Sequence, residues 1–86
     1  MFLIEYNRES QKNIASIGSE KASQIFDKVY ILEKSPFPHG YSKVKGHLDI
    51  YRLRVGLFRV IYRVDIPLKK IVILKIQKRD SVYNNL

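Results

Sequence analysis

The chain of 86 residues has no cysteine and no tryptophan, one methionine, four glycines and three prolines. Without cysteine there is no disulfide framework, thiolate metal site or thiol nucleophile, so packing alone must hold the core. The two histidines, His39 and His47, each sit beside a glycine with no ligand spacing around them. Histidines of that kind are ordinarily just solvated, and no metal or other cofactor is expected. No apolar run approaches the roughly 18–20 residues that cross a bilayer. Met1 to Tyr6 lacks the basic stretch and long apolar segment of a signal peptide. A soluble, cytoplasmic protein with no membrane partner is expected. Acidic residues are also scarce, with 8 Asp and Glu against 16 Lys and Arg, a formal charge of +8. That imbalance points toward a polyanionic partner.

A hydrophobic content of 45% with 12% aromatics suits a folded chain and is too high for a disordered one. The length suits one small domain spanning residues 1–86, because two would leave each half too short to bury a core. The excess charge is not spread evenly. Residues 1–43 carry six Lys and Arg against five acids, whereas residues 44–86 carry ten against three, Asp49, Asp65 and Asp80.

The first half reads as a strand and two helices. Phe2 to Tyr6 is a short apolar-rich strand, followed by Asn7 as an N-cap and a helix over Arg8 to Ile17 with sparse apolar positions. Gly18 stops it, and the Ser19 hydroxyl is expected to cap a second helix running to about Lys34. Its stripe is Ala22, Ile25, Phe26, Val29 and Leu32. The helices should form a hairpin, and Pro36 and Pro38 end the second one. The second half reads as strands at Tyr51 to Val55, Phe58 to Val64 and Lys70 to Lys78, with Asp65-Ile66-Pro67-Leu68 as a turn. The expected fold is α+β: an N-terminal strand and a two-helix hairpin packed on one face of a mostly antiparallel four- to five-stranded sheet.

The segment Tyr51-Arg52-Leu53-Arg54-Val55-Gly56-Leu57-Phe58-Arg59-Val60-Ile61-Tyr62-Arg63-Val64 carries the functional information. A two-residue loop at Gly56-Leu57, with positive φ at Gly56 in a type II′ turn, sets Val55 against Phe58, Arg54 against Arg59, Leu53 against Val60 and Arg52 against Ile61. Side chains alternate between faces, so Tyr51, Leu53, Val55, Phe58, Val60, Tyr62 and Val64 share one face. Arg52, Arg54, Arg59, Ile61 and Arg63 share the other. A merely solvated strand face mixes charges of both signs to avoid self-repulsion, and this hairpin face holds no acid. Arginine matches phosphate oxygens with its planar fork, so a polyanion site, with nucleic acid as the commonest occupant, is the better account. Lys75, Gln77 and Arg79 share a parity on the last strand. They extend the patch if the register brings them to the arginine face, which the sequence leaves open.

Four runs, Lys43-Val44-Lys45-Gly46, Tyr51-Arg52-Leu53-Arg54-Val55-Gly56, Phe58-Arg59-Val60-Ile61-Tyr62-Arg63 and Lys78-Arg79-Asp80-Ser81-Val82-Tyr83, resemble the RelE/ParE toxin superfamily of type II toxin–antitoxin systems. The resemblance covers the whole chain. It implies a RelE-like endoribonuclease that cuts mRNA in the ribosomal A site, with a ParE-like inhibitor of DNA gyrase as the alternative. The RelE-like branch is favoured because its last-strand arginine and C-terminal tyrosine are both matched. By that resemblance the catalytic positions are Arg52, Arg54, Arg59, Arg79 and Tyr83, and further RNA contacts are assigned to Lys43, Lys45, Arg63, Lys75 and Lys78. Cleavage without a metal needs a base for the 2′-OH, cations for the phosphorane charge and an acid for the leaving 5′-oxygen. Guanidinium does not give up its proton, so Tyr83 is the candidate to orient or deprotonate the 2′-OH and Arg79 to steady the phosphate or leaving group. Lys78 stands where many relatives have histidine, and is a candidate acid or base. The implied partners are mRNA, the ribosome and a cognate antitoxin with an acidic, partly disordered segment.

Overall fold

The first apolar run is a strand, β1 (Leu3–Tyr6), in the computed structural model, which describes residues 1–78. Helix α1 (Arg8–Ser16) begins where the sequence places it, with Asn7 extended and its Oδ1 accepting from the Ser10 backbone N–H at 2.8 Å. Helix α2 (Ser19–Ile31) differs from expectation at both ends. Its N-cap is Gly18, at φ 91° and ψ 152°, and no side chain caps it. Ser19 is already the first helical residue, so its hydroxyl is not the cap. At the other end the helix stops at Ile31 rather than near Lys34. There the N–H groups of Leu32, Glu33 and Lys34 reach the carbonyls three residues back, which tightens the last turn. The Glu33 carbonyl then accepts from the Phe2 N–H at 2.7 Å, tying the start of β1 to the end of α2.

Four more strands follow: β2 (Tyr41–Lys43), β3 (Ile50–Val55), β4 (Phe58–Asp65) and β5 (Lys70–Lys78). They form a five-stranded sheet in the order β1-β5-β4-β3-β2, in which β1 runs parallel to β5 and every other pair is antiparallel. Strand β2 has only three residues, all exposed, too short for hydrophobic alternation to mark it in the sequence. The β3–β4 hairpin has the expected register, Val55 opposite Phe58 and Arg54 opposite Arg59. Gly56 has φ 59° while Leu57 stays outside the left-handed region, as a type II′ turn requires.

The hairpin helix packs on one sheet face. Ile25 and Val29 from α2, and Leu32 just past its end, are buried against Leu53, Val55, Val60, Tyr62 and Val64, with Ile71, Ile73 and Ile76 from β5. Fully burying an aliphatic side chain of this size contributes about 1.5–3 kcal/mol, so these positions hold a chain that has no covalent staple. Tyr62 is wholly buried, and its hydroxyl donates to the Pro36 carbonyl at 2.8 Å. That bond fixes the loop between α2 and β2, and burial raises the Tyr62 pKa, with smaller contributions from Tyr41 and Tyr51.

The parallel neighbour β1 pairs with β5 only as far as Ile73, and α1 takes over beyond it. The Asn7 N–H reaches the Ile73 carbonyl at 3.1 Å, and the Asn13 Oδ1 accepts from the Ile76 N–H at 2.8 Å. The sparsely apolar first helix thus covers a strand edge that would otherwise be left unpaired. Among the described residues, no helix is long and apolar enough to cross a membrane.

Candidate active site

The sheet face away from the helices carries the arginines. Register pairs Arg52 with Ile61, Arg54 with Arg59 and Ile50 with Arg63, so four guanidinium groups stand on this face. Strand β5 extends it through an irregularity. Tyr62 pairs with Ile73 and Ile61 with Lys75, which leaves Leu74 as an extra residue between them. Before this bulge Ile71 and Ile73 point to the core; after it, Ile76 does. Lys75 and Gln77 therefore fall opposite Ile61 and Arg59, on the arginine face. Unbroken alternation from Ile71 would have turned both into the core.

Charges along the face are polarised. Toward one end Arg63 Nε lies 3.5 Å from Asp49 Oδ2, and Lys70 Nζ lies 2.7 Å from Glu5 Oε2. Asp65 pairs with Lys70 on the same face. The acid-free face expected from the hairpin alone therefore acquires acids at this end: Glu5 from β1, Asp49 from the segment before β3 and Asp65 from the last position of β4. Toward the hairpin turn, Arg54, Arg59 and Lys75 have no acidic partner among the described residues. Arg52 is steered rather than neutralised, its Nε donating to Ser42 Oγ at 2.8 Å. Ser42, the β2 residue opposite Arg52, is a contributor that sequence reasoning misses, because β2 itself is invisible there.

The other predicted positions are placed as follows. Lys43 pairs with Tyr51 and so lies on the helix-side face, and Lys45 is in the loop after β2. Lys78 pairs with Phe58, also on the helix-side face. Arg79 and Tyr83 lie outside the described residues. The structure thus brings Arg52, Arg54, Arg59 and Lys75 together, with Arg63 at the neutralised end. Asn13 is a second residue that sequence reading passes over, although it holds the strand segment from which Lys75 and Gln77 project. Three guanidinium groups, those of Arg52, Arg54 and Arg59, stand together on the sheet at the end without acid, an arrangement of the kind that can hold a phosphate.

A two-helix layer backing a sheet whose open face gathers cations defines a small α+β protein with a basic sheet face. No family model matches the chain. It is 28% identical over 87 residues to a curated protein of Methanocaldococcus jannaschii named "Putative toxin RelE1", an alignment covering 98% of this chain and 97% of that one. In the crystal structure of the archaeal RelE–RelB complex from Pyrococcus horikoshii OT3, a chain superposes with a TM-score of 0.80 at 30% identity, over 91% of this chain and 94% of that one. The isolated E. coli RelE toxin matches over 100% of both chains with a TM-score of 0.79. At 18% identity that likeness bears on the fold alone. The chain belongs to the RelE toxin family, within the RelE/ParE superfamily.

Proposed function

We propose that this protein is the toxin of a type II toxin–antitoxin system and a ribosome-dependent, metal-independent mRNA endoribonuclease. The observation that carries the reading is the cluster of Arg52, Arg54, Arg59 and Lys75 on one sheet face, uncompensated by acid near the hairpin turn. A structural surface gains nothing from Arg54 directly opposite Arg59, because like charges across a strand pair are destabilising. A site that must bind a phosphate and stabilise its transition state gains from both.

In the reaction the 2′-oxygen attacks the adjacent phosphorus as its proton leaves. The phosphorus–5′-oxygen bond breaks, giving a 2′,3′-cyclic phosphate and a 5′-hydroxyl once that oxygen is protonated. Arg54 and Arg59 would meet the equatorial phosphorane oxygens, with Arg52 held in place by Ser42 and Lys75 closing the β5 side. Arginine stays protonated near neutral pH and cannot serve as a base, so proton transfer falls to other groups. Tyr83 for the 2′-OH and Arg79 for the phosphate or leaving group are proposed from the family resemblance. Lys78 remains a candidate for proton transfer, although its register position is on the helix-side face. The dependence on the ribosome fits a site built of fixed cations, which orients and stabilises the phosphate but leaves the alignment of the mRNA strand to another body.

Similar structures include complexes of RelE with RelB, which supports an antitoxin as a partner. An acidic segment laid on the arginine face would bind through charge and weaken as salt rises. The cleavage reading is tested with ribosomes stalled on a programmed codon, reading the mRNA by primer extension. A ribosome-dependent cut is expected, with Arg59→Ala slowing it about 10²–10³-fold, as for loss of one transition-state stabilising group. Intact mRNA together with inhibition of gyrase supercoiling would decide for the ParE-like activity instead.

A further inference from the structure

A second concentration of chemistry lies on the helix-side face, at the β2 edge of the sheet. Phe37 from the loop after α2, Tyr41 on β2 and Tyr51 on β3 form a cluster of three rings. The centroids of Phe37 and Tyr51 lie 4.9 Å apart, those of Phe37 and Tyr41 5.4 Å, and those of Tyr41 and Tyr51 6.0 Å. The cluster is braced from beneath, since Tyr51 rests 5.9 Å from the ring of Tyr62, which is anchored to Pro36. Yet Phe37 remains 38% and Tyr41 43% exposed. With Ser42 and Lys43 these rings line an open depression of about 480 Å³.

The segment that carries Phe37 and Tyr41 has basic residues but no acid. Residues 34–48 hold Lys34, Lys43 and Lys45 with His39 and His47, and no Asp or Glu. Side chains alternate along β2, so Lys43 shares the face of Tyr41, while Ser42 between them turns to the other side and holds Arg52. The strand is therefore the common border of two basic surfaces, one bearing rings and one bearing guanidinium groups. Packed rings left partly open beside a lysine suit a single nucleic-acid strand, whose bases stack on the rings while a phosphate meets the cation.

We propose that the Phe37, Tyr41 and Tyr51 cluster with Lys43 is a second RNA contact, which stacks unpaired bases of a strand passing round the β2 edge to the arginine face. The choice of RNA among polyanions rests on the endoribonuclease reading of that face.

The test is a fluorescence-anisotropy titration of the full-length protein, without ribosomes, against a labelled short oligoadenylate and against inorganic polyphosphate, which has charge but no bases. Tyr41→Leu should weaken oligoadenylate binding about tenfold or more, the usual cost of losing one base–ring stack, and change polyphosphate binding less than about twofold. Tyr41→Phe, which keeps the ring, should bind as the unmodified protein does. Lys43→Gln should weaken both ligands and reduce the salt dependence of oligoadenylate binding by about 0.7 in log–log slope. The proposal is overturned if Tyr41→Leu, folded by circular dichroism, binds oligoadenylate normally, or if it loses both ligands equally. It also falls if the substitution abolishes binding of a peptide rich in Glu and Leu more than binding of RNA, which would make the surface a protein dock. Because no cleavage is scored, these outcomes are independent of the stalled-ribosome result, and either reading is able to fail alone.

Discussion

Replacing Arg54 by Gln separates a structural role from a functional one, because the two predict opposite signs. Arg54 is exposed, lies directly opposite Arg59 and has no acidic partner among the described residues. Like charges so placed cost a strand pair about 0.2–1 kcal/mol. Coulomb's law in water agrees, giving roughly 0.5 kcal/mol for two unit charges some 8 Å apart before screening. Gln keeps a hydrogen-bonding end on a shorter side chain and removes the charge, so Arg54→Gln should raise stability. For a chain of this size the gain amounts to roughly 1–8 °C in Tm at low ionic strength. In about 1 M salt, where the Debye length is near 3 Å, the gain should vanish. Cleavage on stalled ribosomes should instead fall about 10²–10³-fold, the cost of losing a preorganised charge at the transition state. Thermal melts at two salt concentrations and single-turnover cleavage measure both effects. A variant that is less stable at low salt and cuts mRNA as fast as the parent would refute the reasoning, and would make Arg54 a packing residue.

Three further outcomes are expected. Asn13→Ala leaves the Ile76 N–H without its partner on α1, which should cost about 1–3 kcal/mol and accelerate hydrogen exchange at Ile76 more than at Ile71; uniform acceleration along β5 would point to general loosening instead. Tyr62→Phe removes the bond to Pro36 from a fully buried site and should destabilise by about 1–2 kcal/mol in denaturant titrations, with an unchanged midpoint counting against a tethered loop. Burial pushes the Tyr6 hydroxyl up to about 12, above the unfolded value near 10. The neutral phenol is thus favoured in the fold, and its contribution is complete below about pH 10 and lost as the pH rises toward 12. Tyr6→Phe should therefore move alkaline unfolding, followed by circular dichroism, to higher pH; no movement would mean that the ring titrates as if solvated.

The parts of this molecule legible in its sequence are those governed by local rules. A two-residue loop with Gly56 at its first position sets the β3–β4 register by itself, and period-two alternation then sorts Arg52, Arg54, Arg59 and Arg63 from the core residues opposite α2. The Asn7 cap and the apolar stripe of α2 are equally local. Tertiary structure decided whatever depends on partners distant in the chain. The parallel pairing of β1 with β5 joins residues more than sixty positions apart, and α1 holds the far half of β5 across a similar separation through Asn13. The bulge at Leu74 is a compromise among those contacts. It keeps Ile71, Ile73 and Ile76 in the core while delivering Lys75 and Gln77 to the arginines. Neutralisation of Arg63 by Asp49 and of Lys70 by Glu5 likewise required the folded sheet. Sequence alone determined that a basic face exists, because alternation is a property of neighbours. Which end of that face stays clear of acid was decided by the folded sheet, which sets Glu5 of β1 beside Lys70 and Asp49 beside Arg63 at the other end.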